Sequence, residues 1–247
     1  MSLIKSSIYY FLMFFIYNIS YAGGISLDST RIVYPLGSKQ ISTGVRNTSD
    51  SSVFLVQAWI EKENGEKDKN FIVTPPLFTS NPKNENSLRL FYIGPELSQD
   101  RETLFYFNVK AIPSVNKKEL SEKNALILAA ITRIKLFVRP DNLKVSPEKS
   151  AELLRFQLVN SNVLRIKNPT PYYITLTDIK SGNDELPSVM VSPFGFYDLS
   201  TEKKLNNKSL KYSVINDYGG VSPKLDAVFE WESISIRAYP KRNYRII

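Results

Sequence analysis

Short runs of β-branched and aromatic residues, each closed off by Gly, Pro, Asn, Asp or Ser, follow one another along nearly the whole chain. They occupy 25–34, 39–47, 52–60, 71–74, 87–93, 103–112 and 125–138, and after a break they resume at 153–159, 163–167, 172–179, 188–191, 196–199, 211–215 and 225–239. Runs this short, with turn residues at this spacing, specify an all-β sandwich. No segment carries a long, capped 3.6-residue periodicity, so helix is expected only as a minor component.

Alternation within the runs assigns faces. In TLFYFNVKAIP, Phe105, Phe107, Val109 and Ala111 form the expected core face, opposite Leu104, Tyr106, Asn108 and Lys110. In SSVFLVQAWIEKE, Phe54, Val56, Ala58 and Ile60 share one face and Val53, Leu55, Gln57 and Trp59 the other, which predicts a strand buried on one side and half-covered on the other.

The pattern breaks at VRPDNLKVSPEKS, residues 138–150, where two prolines and a polar cluster intervene. A chain of 247 residues accommodates two domains of about 100 residues each. We expect an N-terminal sandwich over 23–143 and a second, smaller one over 144–247. No fixed-period repeat is visible, so any similarity between the two is expected at the level of structure.

Residues 1–22 read as an export signal. Lys5 precedes an apolar stretch from Ile8 to Tyr17, and Ser20-Tyr21-Ala22 offers small residues for cleavage after Ala22. The stretch is shorter than the roughly 20 residues of a spanning helix. The chain has neither Cys nor His, which removes disulfides, thiolate nucleophiles, Cys or His zinc sites and Ser-His triads. A formal charge of +8 favours an acidic or anionic partner, but no block of five or more like charges occurs. A basic β protein stacking single-stranded nucleic acid on Tyr and Phe is therefore the minor alternative. A hydrolase built on adjacent Asp184 and Glu185 is a third reading, set against a solvated turn in SGNDELP.

The segment ALILAAITRIKLFVRP, residues 125–140, is the anomaly: it is apolar on both faces and then carries Arg133, Lys135 and Arg139. If Ala125, Ile127, Ala129 and Ile131 fill this domain's core, then Leu126, Leu128 and Ala130 are left over, because a two-sheet sandwich buries one face of each sheet. On that assignment Arg133, Lys135, Phe137 and Arg139 also lie on the core side, where Lys135 needs a cleft or an anion. Covering Leu126 and Leu128 is worth about 1.5–3 kcal/mol each. The loop Ser114 to Lys123, a second copy of the chain, or a partner polypeptide adding a strand to this edge would each provide the cover.

With GISLDSTRIVYPLG, FIVTPPLF, RETLFYFNVKAIP, ALILAAITRIKLFVRP, NPTPYYITL, MVSPFG and VINDYGG in view, the chain resembles the PapD-like periplasmic pilus chaperones over essentially its whole length after the signal. The resemblance implies two immunoglobulin-like domains set as a boomerang. It also implies a non-enzymatic, cofactor-free function: binding and folding pilus (fimbrial) subunits by donor-strand complementation and delivering them to an outer-membrane usher. It assigns Arg31 and Lys135 to the subunit's C-terminal carboxylate, Leu126, Leu128 and Ala130 to the donated strand, and Glu102, Arg139 and Asp217 to an interdomain ion network. Pro75, Pro76 and Pro171 match turn prolines, with the cis isomer open for each. The absence of Cys and the shortness of 114–123 match the short-loop class. Ala130 departs from the larger aliphatic residue usual there, which implies a differently shaped pocket in the subunit. Free protein is expected to cap the strand by forming a homodimer.

Overall fold

Alternating burial along the strands sorts them into two sandwiches in a computed structural model of the chain, which describes residues 23–114, 127–202, 204–205 and 209–231. The first contains β1 (Ile25–Leu27), β2 (Arg31–Pro35), β3 (Ile41–Asn47), β4 (Phe54–Lys62), β5 (Phe71–Thr74), β6 (Leu77–Ser80), β7 (Glu85–Tyr92), β8 (Thr103–Pro113) and β9 (Ala130–Arg139). Its sheets run β1-β3-β7-β5 and β2-β9-β8-β4-β6. The second contains β10 (Arg155–Asn160), β11 (Val163–Lys167), β12 (Ile174–Ser181), β13 (Asp184–Leu186), β14 (Val189–Val191), β15 (Phe196–Ser200), β16 (Ser209–Val214), β17 (Leu225–Val228) and β18 (Glu230–Trp231). Its sheets run β15-β11-β10-β18 and β13-β12-β16-β17, with β14 paired to β12. One helical turn, α1 (Pro147–Ser150), lies near the link between the domains.

Each domain closes around its own apolar cluster. Tyr34, Val56, Ile60, Leu88, Leu90, Phe107 and Leu136 centre the first, and Leu158, Leu164, Ile166, Leu176, Ile179 and Leu210 the second. Phe105, Phe107 and Val109 of β8 join the first cluster and Ala111 is buried, as their alternation predicts. Val56, Ala58 and Ile60 of β4 do the same, while Leu55 stays exposed on the other face.

The two domains also repeat a device. At the end of β3, the Nδ2 of Asn47, a fully buried residue, donates to the carbonyls of Ser52, Ser80 and Asn81, and its Oδ1 accepts from the Ser49 amide. Just after β11, Asn168 donates to Tyr172, Val191 and Ser192 and accepts from the amide and hydroxyl of Thr170. In both, one buried side-chain amide ties together carbonyls from separate turns and strand ends, in the Asn81 and Ser192 cases alongside a backbone amide.

Several expectations change. The run 25–34 is two strands, because after Leu27 the chain crosses between sheets, so that β1 pairs with β3 and β2 with β9. The short strands β6 and β13 fall outside the expected runs. Asp184 and Glu185 are not a free turn: they begin β13, opposite Ser181 and Lys180, with Lys180 paired to Glu185. The Thr74–Pro75 bond is cis. The final run is seen as β17 and β18, and its remainder lies outside the described residues.

The face assignment of 125–140 is reversed. Ile134, Leu136 and Val138 enter the core together with Ile32 and Tyr34 of β2. Ile131, Arg133, Lys135, Phe137 and Arg139 therefore face outward, away from the first domain's core. The physical reason is length: β9 continues past the facing sheet, so its core-side row ends at Ile134, and Thr132, Ala130 and Leu128 continue that row in the open.

Candidate functional site

β2 and β9 run parallel with Arg31 directly opposite Lys135. Both side chains leave the outward face of the sheet and reach the second domain. Arg31 Nη1 donates to the Ile215 carbonyl at 3.0 Å, and Lys135 Nζ to Thr175 Oγ1 at 3.2 Å. Phe137, two residues on, stacks against Tyr173 with centroids 5.7 Å apart, so the junction floor is aromatic.

The cations of β9 are satisfied unequally. Arg133 lies 3.8 Å over the Tyr106 ring and pairs with Glu61 at 3.4 Å. Arg139 has two carboxylates. Lys135 has a hydroxyl and a neighbouring guanidinium, and among the described residues neither it nor Arg31 makes an ion pair. Arg31 is 8% exposed and its Nε is buried without a hydrogen-bond partner.

Burial lowers the Arg31 pKa against the opposing pull of Asp217 and Glu102. Burial, and then the charge of Arg31, lowers that of Lys135. Two adjacent, half-desolvated cations with spare N–H groups favour a bound oxyanion, whose charge-assisted hydrogen bonds strengthen as water is excluded.

A second group ties the domains together. Arg139 Nε donates to Glu102 Oε1 at 2.8 Å, and its two terminal nitrogens donate to Asp217 at 2.6 and 2.7 Å. Glu102, 3% exposed, accepts from the Tyr173 amide through its other oxygen, and its own amide donates to the Pro171 carbonyl. Burial raises the Glu102 pKa, and Arg139 resists that rise. An open cavity of about 350 Å³ borders this group, lined by Arg31, Phe137, Tyr172, Val221 and Pro223 among others.

The third group is the free edge. β2 covers β9 only from Lys135 to Arg139, so Ala130 to Ile134 have β8 on one side and no strand on the other among the described residues. Leu128 is 72% exposed and Ala130 is exposed, while Leu126 lies outside the described residues. The sequence did not reveal Thr175, Tyr173 or the Ile215 carbonyl as cross-domain partners, because nothing local in a sequence states that residues so far apart along the chain will touch.

Residues 24–144 match the model described as pili and flagellar-assembly chaperone, PapD N-terminal domain, and residues 149–225 match pili assembly chaperone PapD, C-terminal domain. A probable fimbrial chaperone, SfmC of Escherichia coli K12, is 44% identical over 202 residues, 82% of this chain and 87% of that protein. The chaperone protein FimC of the same strain is 44% identical over 208 residues, covering 84% and 85%. Among solved structures, the periplasmic chaperone SfaE superposes with a TM-score of 0.72 at 38% identity, covering 83% of this chain and all of that one. A chain from Salmonella enterica SafA pilin in complex with the SafB chaperone gives 0.73 at 29% identity, covering 85% and 98%.

Proposed function

The chain belongs to the PapD family of pilus-assembly chaperones, and from that premise we propose how its own residues capture a subunit: Arg31 and Lys135 hold the subunit's terminal carboxylate while the open edge of β9 completes the subunit's fold. It is a periplasmic chaperone of pilus subunits built from two immunoglobulin-like domains in a boomerang, and its task is binding rather than catalysis.

The observation that carries the clamp is the unneutralised pair itself. Arg31 is the first residue of β2, and the free edge of β9 begins beside it. A strand arriving with its C-terminus against Arg31 and Lys135 lies end to end with β2 and parallel to β9 along Ala130 to Ile134. Its backbone then takes up the unpaired groups of that edge. Two charge-assisted hydrogen bonds supply about 1.5–3 kcal/mol each, and covering Leu128 supplies about 1.5–3 kcal/mol more. The carboxylate fixes register, and with it which pockets of the subunit receive Leu126, Leu128 and Ala130.

Glu102, Arg139 and Asp217 fix the angle between the domains, so that Thr175 and the Ile215 carbonyl stay positioned to orient the two cations. We place export in a signal over 1–22, the domain division at 143/144, delivery at an outer-membrane usher, and self-association of the free chain over the β9 edge. Leu143 packs against the second core, so contacts of the C-terminal domain reach back across that division by one residue. The test is co-expression with a cognate pilus subunit: Lys135→Ala should remove the recoverable complex while the variant itself stays folded. Wild-type recovery would show that the clamp lies elsewhere.

A further inference from the structure

The outer face of the β10–β11–β15 sheet carries charge that subunit capture at the junction leaves unused. Arg155 on β10 stands directly opposite Lys167 on β11, and Lys167 opposite Phe196 on β15, so the three share one face. Like charges paired across strands destabilise a sheet, yet among the described residues neither Arg155 nor Lys167 makes an ion pair or a side-chain hydrogen bond. One row away on the same face, Arg165 grips Asp198 through two bonds of 2.7 Å. The fold therefore neutralises one cation of this face and leaves two beside each other.

Two phenylalanines border the pair. Phe196 is 57% exposed and Phe194 48% exposed. Phe194 also has φ of 52°, a left-handed backbone that residues with a Cβ rarely adopt. Each ring rests on a guanidinium: Phe194 on Arg101 from the first domain at 4.8 Å, Phe196 on Arg165 at 4.5 Å. The rings are thus held in place while large parts of them face water. With Pro169 and the two cations they line a shallow recess whose lining contains no acidic residue.

We propose that this recess is a second protein-docking site, sharing no residue with the Arg31–Lys135 clamp, and that it takes an acidic segment of a partner polypeptide with an apolar side chain next to a carboxylate. The apolar side chain enters between Phe194 and Phe196, and the carboxylate meets Arg155 and Lys167, the complementarity that steers and orients protein association. A second copy of this chain, at +8, is the wrong sign. A recess between two fixed rings admits one side chain, whereas a lipid surface needs a broad contact.

The test uses the full mature chain and an N-acetylated, C-amidated peptide of alternating Glu and Phe, which has no terminal carboxylate for the clamp. Its neutral counterpart with Gln in place of Glu and vesicles of phosphatidylglycerol serve as comparisons. In an NMR titration the acidic peptide should shift the backbone amides of 155, 167 and 194–196. Arg155→Glu together with Lys167→Glu should weaken binding by about tenfold or more, Lys167→Gln alone should weaken it less, and Lys135→Ala should leave it unchanged. Equal binding of the neutral peptide, indifference to the charge reversals in a folded variant, binding of the vesicles in preference to the peptide, or no binding at all would each overturn the proposal. Subunit capture by the charge-reversed chain, measured alongside, reports separately on the clamp.

Discussion

Arg139→Ala isolates the junction. The substitution strips Glu102 of its cation in a site that leaves the residue 3% exposed, with only the Tyr173 amide still donating to it. Breaking a buried pair from one side costs about 3–5 kcal/mol, because the remaining charge stays desolvated. The lost partner at Asp217, whose side chain is 35% exposed, adds no more than about 1 kcal/mol. In a Glu102→Gln background no buried charge is orphaned, and the same substitution should cost about 1–2 kcal/mol. The pH dependence follows from the direction of the shift. Burial raises Glu102 above its ordinary 4.5, and losing Arg139 raises it further. A carboxyl with a raised folded pKa favours the folded state below the unfolded value and loses that contribution as pH climbs through the folded one. The defect of Arg139→Ala should therefore be largest at neutral pH and shrink as pH falls toward 4.5. Urea unfolding followed by circular dichroism at pH 7 and pH 5, for the four members of the cycle, reads this directly. A loss under about 1 kcal/mol that Glu102→Gln does not change would refute the claim that the pair is buried and coupled.

Other expectations follow from single side chains. Leu128→Glu lies on an exposed position and should change unfolding by less than about 0.5 kcal/mol while abolishing subunit capture; gross destabilisation would return Leu128 to the domain's own core. Asn168→Ala removes the side-chain donor shared by the Tyr172, Val191 and Ser192 carbonyls, of which Ser192 keeps the Gly195 amide, and should cost about 1–3 kcal/mol, measurable by thermal unfolding, whereas a neutral result would mean that water replaces the amide freely. Lys135 should titrate below 10.5 in the free chain and move upward in Arg31→Gln, followed by NMR of its side chain. Because a base with a lowered folded pKa sheds its proton first in the folded state, stability should rise slightly as pH passes through that value.

What the sequence made legible depended on how many faces a strand shows to water. Phe105, Phe107 and Val109 of β8 could be named from spacing because that side packs in the core, whereas the burial of Leu104 and Asn108 on the other side could not. In 125–140 both parities are apolar before the cations begin, so spacing left the choice of face open. The structure decides it through Ile134, Leu136 and Val138, which pack with Ile32 and Tyr34. The crossing after Leu27 was hidden because Asp28, Ser29 and Thr30 sit inside a run that reads as one strand. Similarly, Asn47 and Asn168 are single residues in turn-rich stretches, and their likeness appears only once each is seen bridging distant carbonyls. The cations of the site were legible as residue types out of place on a strand. Their neighbours across the junction, Thr175 and the Ile215 carbonyl, were not, since contact between domains is set by how two cores dock.

A crystal structure of the chain bound to a cognate pilus subunit tests the central claim most directly. The account predicts the subunit's terminal carboxylate between Arg31 and Lys135, its last strand parallel to β9 along Ala130 to Ile134, and Leu128 buried inside the subunit. A carboxylate bound away from the two cations, or a complex in which Leu128 remains in water, would contradict it.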